Sequence, residues 1–184
     1  MKKRWIWFCA AAVAVALSGC AGGGVGGAEQ EQQEHGSHAG MDHSSSGEIP
    51  AGLKEAANPA FPVGSRAMIR ADHMEGMDGA EATIVGAYDT VVYAVSYTPT
   101  TGGARVTNHK WVIHEELEQA GGEPLEPGTE VVLLADHMEG MRGAKATIES
   151  AEQATVYMVD FKLTSSGETV KNHQWVTESE LSAL

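Results

Sequence analysis

From Gly64 to Leu117 and again from Gly128 to Leu181 the chain spells one pattern twice, at a constant offset of 64 residues and without a gap. About half of the paired positions are identical, so internal repetition constrains the architecture before any local reading does. A fold or a site that one copy specifies is specified by the other. Each copy runs to about 55 residues, short for a domain but within the range that folds alone. The connection from Glu118 to Pro127, with Gly121, Gly122, Pro124 and Pro127, is brief enough to let the two copies pack together.

Within a copy the periodicity is that of β-structure. Ser65–Ile69 and Thr129–Leu134 read as first strands. A glycine-rich loop follows in each (Gly76 and Gly79 in the first copy), as expected where the backbone needs positive φ. Ala82–Val85 then leads into Thr90–Tyr97, where Val91, Tyr93, Val95 and Tyr97 alternate with Val92, Ala94 and Ser96; the second copy reads Thr155–Phe161. A turn at Thr101-Gly102-Gly103 or Ser165-Ser166-Gly167 precedes a last strand and an acidic turn ending at Glu116-Leu117 or Glu180-Leu181. Five short strands per copy predict an all-β protein made of two tandem, homologous, small SH3-like barrel units, over residues 61–120 and 125–184.

Two strings repeat most faithfully. Ala71-Asp72-His73-Met74-Glu75-Gly76-Met77 returns as Ala135-Asp136-His137-Met138-Glu139-Gly140-Met141, and Asn108-His109-Lys110-Trp111-Val112 returns as Asn172-His173-Gln174-Trp175-Val176. Each copy thus offers an imidazole, two thioethers and a distant second imidazole. A turn-like backbone would set Met74 and Met77, three apart, on one side; His109 would join them only if its strand passes beside the loop. The candidate ligand sets are His73, Met74, Met77 and His109 in the first copy and His137, Met138, Met141 and His173 in the second. Thioether with imidazole suits monovalent copper, whereas calcium and magnesium take oxygen. Thioether also needs no deprotonation, while imidazole must be neutral to coordinate. Asp72 and Asp136 are candidates for orienting the neighbouring imidazoles.

Other readings stand beside this one. Met74 and Met77 could plug a barrel end, as Met often fills irregular gaps, with His109 and His173 bonded to backbone. Trp111, Trp175, Tyr93 and Tyr157 read as core. A calcium site could draw on Asp72, Glu75 and Asp78, but the second copy puts Arg142 where Asp78 stands.

The N-terminal third is of another kind. Lys2, Lys3 and Arg4 precede an apolar run from Trp5 to Leu17 that is short for a membrane-spanning helix and reads as an export leader over residues 1–19. Leu17-Ser18-Gly19-Cys20 resembles the lipobox of bacterial lipoproteins, making Cys20 the expected lipidation site and giving stable attachment to a membrane. Residues 20–60 read as a flexible, polar tether with too little apolar surface for a core; it carries His35, His38, Met41 and His43, candidate metal binders of the kind short His-rich tracts provide. Cys9 and Cys20 are the sole cysteines, so the repeats hold no thiol chemistry. A net charge of −13 excludes the basic footprint that nucleic acid requires. No nucleophile–base pair, cofactor loop or carboxylate pair argues for an enzyme or an organic cofactor.

The tandem motifs, behind the lipobox and Met41-Asp42-His43-Ser44-Ser45-Ser46, resemble the YdhK family of Gram-positive lipoproteins, which takes in surface-exposed CopL-like copper-binding lipoproteins associated with copper tolerance. The resemblance covers essentially the whole mature chain; Arg142 for Asp78, Gln174 for Lys110 and Glu178 for His114 are differences between the two copies, and none removes a candidate ligand. It implies a lipid-anchored protein on the extracytoplasmic face of the cell membrane that binds Cu(I) and limits its entry or toxicity. Two rival expectations are a cell-wall or protein-binding SH3-like adaptor without metal, and a chaperone that hands copper to an exporter.

Overall fold

The computed structural model describes residues 44–184; the leader, Cys20 and the tether residues His35, His38, Met41 and His43 lie outside the described residues. The described chain is all-β, with two single-turn 3₁₀ segments, His114–Glu116 and Glu178–Glu180, and no helix long and apolar enough to cross a membrane. Eight strands follow in order: β1 (Lys54–Glu55), β2 (Arg66–Ile69), β3 (Glu81–Tyr97), β4 (Val106–Ile113), β5 (Glu130–Val132), β6 (Lys145–Lys162), β7 (Thr169–Thr177) and β8 (Leu181–Ser182).

Where each copy was expected to form several short strands, one long strand runs through: β3 has 17 residues and β6 has 18. At roughly 3.3 Å per residue such a strand extends for about 55 Å, too far to curl within one small barrel. The two pair antiparallel along most of their length, from Ala82 opposite Phe161 to Tyr97 opposite Ala146, with irregularities between Ile84 and Gly86 and between Ala94 and Val95. Exchanging the copies carries the first of those pairs onto the second, so the pairing has an internal two-fold axis. All eight strands belong to one sheet, with β2, β4 and β1 on β3, and β5 and β7 on β6.

The copies also close each other. β8, at the end of the second copy, pairs with β2 of the first through Ile69 and Leu181; the equivalent bridge joins Leu117 to Leu133. The apolar clusters follow this exchange. One gathers Ala67, Ile69, Met77 and Ile84 from the first copy with Tyr157, Val159, Phe161 and Val176 from the second. Its counterpart gathers Tyr93, Val95, Tyr97 and Val112 with Leu133, Met141, Ala146 and Ile148. A third, central cluster joins Val92, Trp111 and Ile113 to Val156, Met158 and Trp175. The two homologous repeats are therefore interlocked through one sheet, each contributing half of two cores.

Residues 44–60, expected to belong to the tether, lie against the sheet. Lys54 and Glu55 pair with Asp89 and Tyr88. Leu53, Ala56 and Phe61 pack on the apolar clusters. Upstream, Ser45 donates its backbone N–H to the carbonyl of Lys171 and its hydroxyl to that of Asn172. A few apolar side chains and a run of serines are enough to seat this stretch on strand edges.

Candidate functional site

The loop between β2 and β3 and the loop between β5 and β6 carry the Asp-His-Met-Glu-Gly-Met strings. Each turns tightly: Met77 N–H bonds the Met74 carbonyl at 3.3 Å, and Ala80 N–H bonds the Met77 carbonyl at 3.1 Å. Each is then clamped by the hairpin of the other copy. The Gly76 carbonyl accepts from Thr164 N–H at 2.8 Å, and the Gly140 carbonyl from Thr100 N–H at 2.8 Å. Both glycines have positive φ, and a Cβ on Gly76 would collide with Ser165. In the other motif Asn108 and Asn172 also take positive φ, 51° and 50°, a conformation that Asn tolerates better than most residues, just before the histidine.

These four segments meet in one narrow pocket lined by His73, Met74, His109, Lys110, His137, Met138, His173 and Gln174, with Ser45 at its edge. Apart from Ser45, the lining consists of four pairs related by the offset of 64 residues, so the pocket lies on the internal two-fold. Its volume of about 20 Å³ leaves room for little more than one water-sized body.

Of the eight candidate ligands, six line this pocket. Met77 and Met141 do not: both are fully buried in the two outer apolar clusters. The reason is local, since the tight turn that sets Met74 in the pocket wall returns the chain to the core by residue 77. Nor do the ligands assemble copy by copy. His109 of the first copy stands beside His137 of the second, ring centroids 6.2 Å apart. The lining of one pocket draws on both copies.

Each pocket wall is backed by a carboxylate from the opposite copy. Glu180 Oε1 lies 2.8 Å from His73 Nε2, and its Oε2 accepts from Trp111 Nε1 at 2.9 Å. Glu116 Oε1 lies 2.8 Å from His137 Nε2, and its Oε2 accepts from Trp175 Nε1 at 3.2 Å. Burial by itself would raise the Glu180 carboxyl. The hydrogen bond and charge of His73 outweigh it, with the Thr177 backbone and the Trp111 indole adding to them, and hold the group at about 2. Asp72 and Asp136, expected in this orienting role, are exposed instead, and Asp136 faces Arg142 at 3.7 Å. Trp111 and Trp175, read as core, are core residues with a second task, since their indole N–H groups fix these carboxylates. Within the repeat a signal for Glu116 and Glu180 does exist: neighbours His114 and Glu115 become Glu178 and Ser179, while this Glu is retained.

The remaining imidazoles are held by aromatic rings. Tyr97 meets His109 edge-on at 6.0 Å, and Phe161 meets His173 edge-on at 5.7 Å. The Tyr97 hydroxyl also donates to Met138 Sδ at 3.8 Å, and burial pushes its pKa up to about 12.

Whether this donor set fits a copper ion can be judged from the atoms present. His73 Nδ1 and His137 Nδ1 are buried and have no hydrogen-bond partner, at a cost of about 1–3 kcal/mol each unless something else engages them. Among the described residues no three His, Cys, Asp or Glu side chains are arranged to hold one ion. Imidazoles together with the thioethers Met74 and Met138 in one pocket lining are donor types that suit a soft cation.

Fold and pocket together define an all-β protein whose described residues form two interlocked repeats around a His/Met-lined cavity. The chain belongs to the DUF1541 family, described as a protein of unknown function, whose model matches residues 63–114 and 127–178. It is 61% identical over 146 residues, 79% of this chain and 71% of the relative, to the uncharacterized protein YdhK of Bacillus subtilis strain 168. The crystal structure of the DUF1541 family protein ydhK from that organism, at 2.00 Å resolution, is 60% identical, covers 80% of this chain and 100% of its own, and superposes with a TM-score of 0.77. A solution NMR structure of the ydhK C-terminal domain gives 63% identity, 67% and 93% coverage and a TM-score of 0.64. The resemblance drawn from the tandem motifs therefore holds.

Proposed function

We propose that this protein is an extracytoplasmic, membrane-anchored lipoprotein that binds Cu(I) in the pocket on its internal two-fold and sequesters it for copper tolerance. The observation that carries this reading is the convergence of His73, Met74, His137 and Met138, with two buried imidazole Nδ1 atoms that lack a partner within the protein. His109 and His173 complete the lining. In this reading the function is binding, not turnover, in a cavity of about 20 Å³ that is sized for one small ion. Cys20 supplies the lipid anchor in this reading.

The deciding experiment titrates the mature protein with Cu(I) against a competing chelator and records X-ray absorption of the loaded form. Uptake of one ion per chain with sulfur and nitrogen scatterers is expected. Replacing Met74 and Met138 together by Leu should remove the sulfur signal and weaken binding, while the same change at Met77 and Met141 should leave the sulfur signal intact. A wall-binding or protein-binding adaptor would take up no stoichiometric copper, and that result overturns the reading.

A further inference from the structure

The same pocket carries a more specific assignment, one that rests on the metal reading for its consequence but not for its first test. We infer that Glu116 and Glu180 are positioning residues that fix the tautomer of the opposite copy's histidine, so that Nδ1 of His137 and of His73, not Nε2, is the nitrogen offered to the ion.

The donors around each carboxylate decide which imidazole nitrogen carries the proton. Glu180 Oε2 receives Trp111 Nε1 at 2.9 Å, Thr177 N at 3.0 Å and Thr177 Oγ1 at 2.9 Å. Glu116 Oε2 receives Trp175 Nε1 at 3.2 Å and Ile113 N at 3.1 Å. Indole and backbone N–H groups donate only, so each Oε2 is an acceptor. A carboxylate has no proton to give, so the imidazole Nε2 at 2.8 Å from each Oε1 must be the donor. A neutral imidazole that carries its proton on Nε2 has its lone pair on Nδ1. Both of those Nδ1 atoms are buried and have no hydrogen-bond partner. One arrangement arising twice, at positions 64 residues apart and across the repeat boundary each time, is a built feature.

Glutamine tests this sharply. In Glu180→Gln the donors around Oε2 claim the amide oxygen, which leaves the amide NH₂ facing His73 Nε2. That nitrogen must then accept, its proton moves to Nδ1, and the metal-facing lone pair is blocked. The same holds for Glu116→Gln and His137. The first measurement is the side-chain ¹⁵N spectrum of the metal-free mature protein above neutral pH. The wild type should show His73 and His137 protonated on Nε2, and each Gln variant should reverse its own histidine only. The second is Cu(I) competition, in which each variant should bind about 10- to 100-fold more weakly, with a changed nitrogen contribution in the X-ray absorption.

Wild-type histidines protonated on Nδ1 would overturn the assignment without any variant, so a Gln substitution that prevents folding does not shield it. Gln variants that keep both tautomer and affinity would overturn it as well. Nε2-protonated histidines in a protein that takes up no copper would overturn the donor role together with the metal reading, while leaving the tautomer assignment in place.

Discussion

The two halves of the pocket are built on the same plan and finished differently. Around His73 the backing carboxylate, Glu180, gains a hydroxyl donor from Thr177; around His137 the equivalent residue is Ile113, which has only its backbone N–H to give Glu116. Met138 is buried and its sulfur accepts the Tyr97 hydroxyl, whereas Phe161 stands in Tyr97's place and has no hydroxyl to offer Met74. Lys110 lies over the Trp111 ring at 5.0 Å, while its counterpart Gln174 donates to the Glu48 carbonyl where the segment after the tether docks. The imidazole, its carboxylate and its indole are common to both halves; the surroundings of the sulfur and the rim are not. In the proposed reading, what the halves share is what coordination would need, and what they do not share would tune it.

The comparison breaks most severely if a shared element is removed. Trp175→Ala takes out a fully buried indole from the central cluster and should cost about 3–5 kcal/mol. Trp111→Ala removes an indole that is 7% exposed and should cost less; urea unfolding of the two variants gives the difference. The next effect concerns acid. Glu180 is held at about 2 against an ordinary 4.5, so its contribution is complete above about pH 4.5 and disappears as pH falls toward 2. A shift of that size corresponds to on the order of 3 kcal/mol. The unfolding midpoint of the wild type should therefore decline through that window, and that of Glu180→Gln should decline less.

Smaller changes sharpen the contrast between the sulfurs. Met74→Leu should weaken Cu(I) binding more than Met138→Leu, by about tenfold or 1.4 kcal/mol, because the Met138 sulfur is already engaged by a hydroxyl. Equal losses in chelator competition would show that the Tyr97 bond does not matter. Smallest is Tyr97→Phe, which makes the second half resemble the first. It should move stability by no more than about 1 kcal/mol and narrow the gap between the two Met variants.

Much of this was legible in the sequence. The offset repeat pointed to the all-β pair, and the repeated strings held all eight of the paired residues that line the cavity, six of them candidate ligands. What escaped has physical causes. Spacing placed Met77 beside Met74, but a turn closed by bonds at residues 77 and 80 returns the chain to the core before the second sulfur can reach the pocket. Identical strings also cannot say which copy's histidine meets which, so the exchange between copies was invisible until β8 was seen on β2 and β6 on β3. Asp72 was nearer in sequence to His73 than Glu180, which arrives through that exchange from 107 residues away.

The reciprocal closure of Ile69 on Leu181 and of Leu117 on Leu133 bears on how such a molecule could have arisen. A polypeptide holding one copy alone would own half a cavity and two unfinished cores, and could complete them only by meeting its twin about a dyad. Fusing two genes for such a dimer would turn an association that depends on concentration into a permanent one. Freed from strict symmetry, the halves could then drift apart residue by residue, as Tyr97 and Phe161 have done.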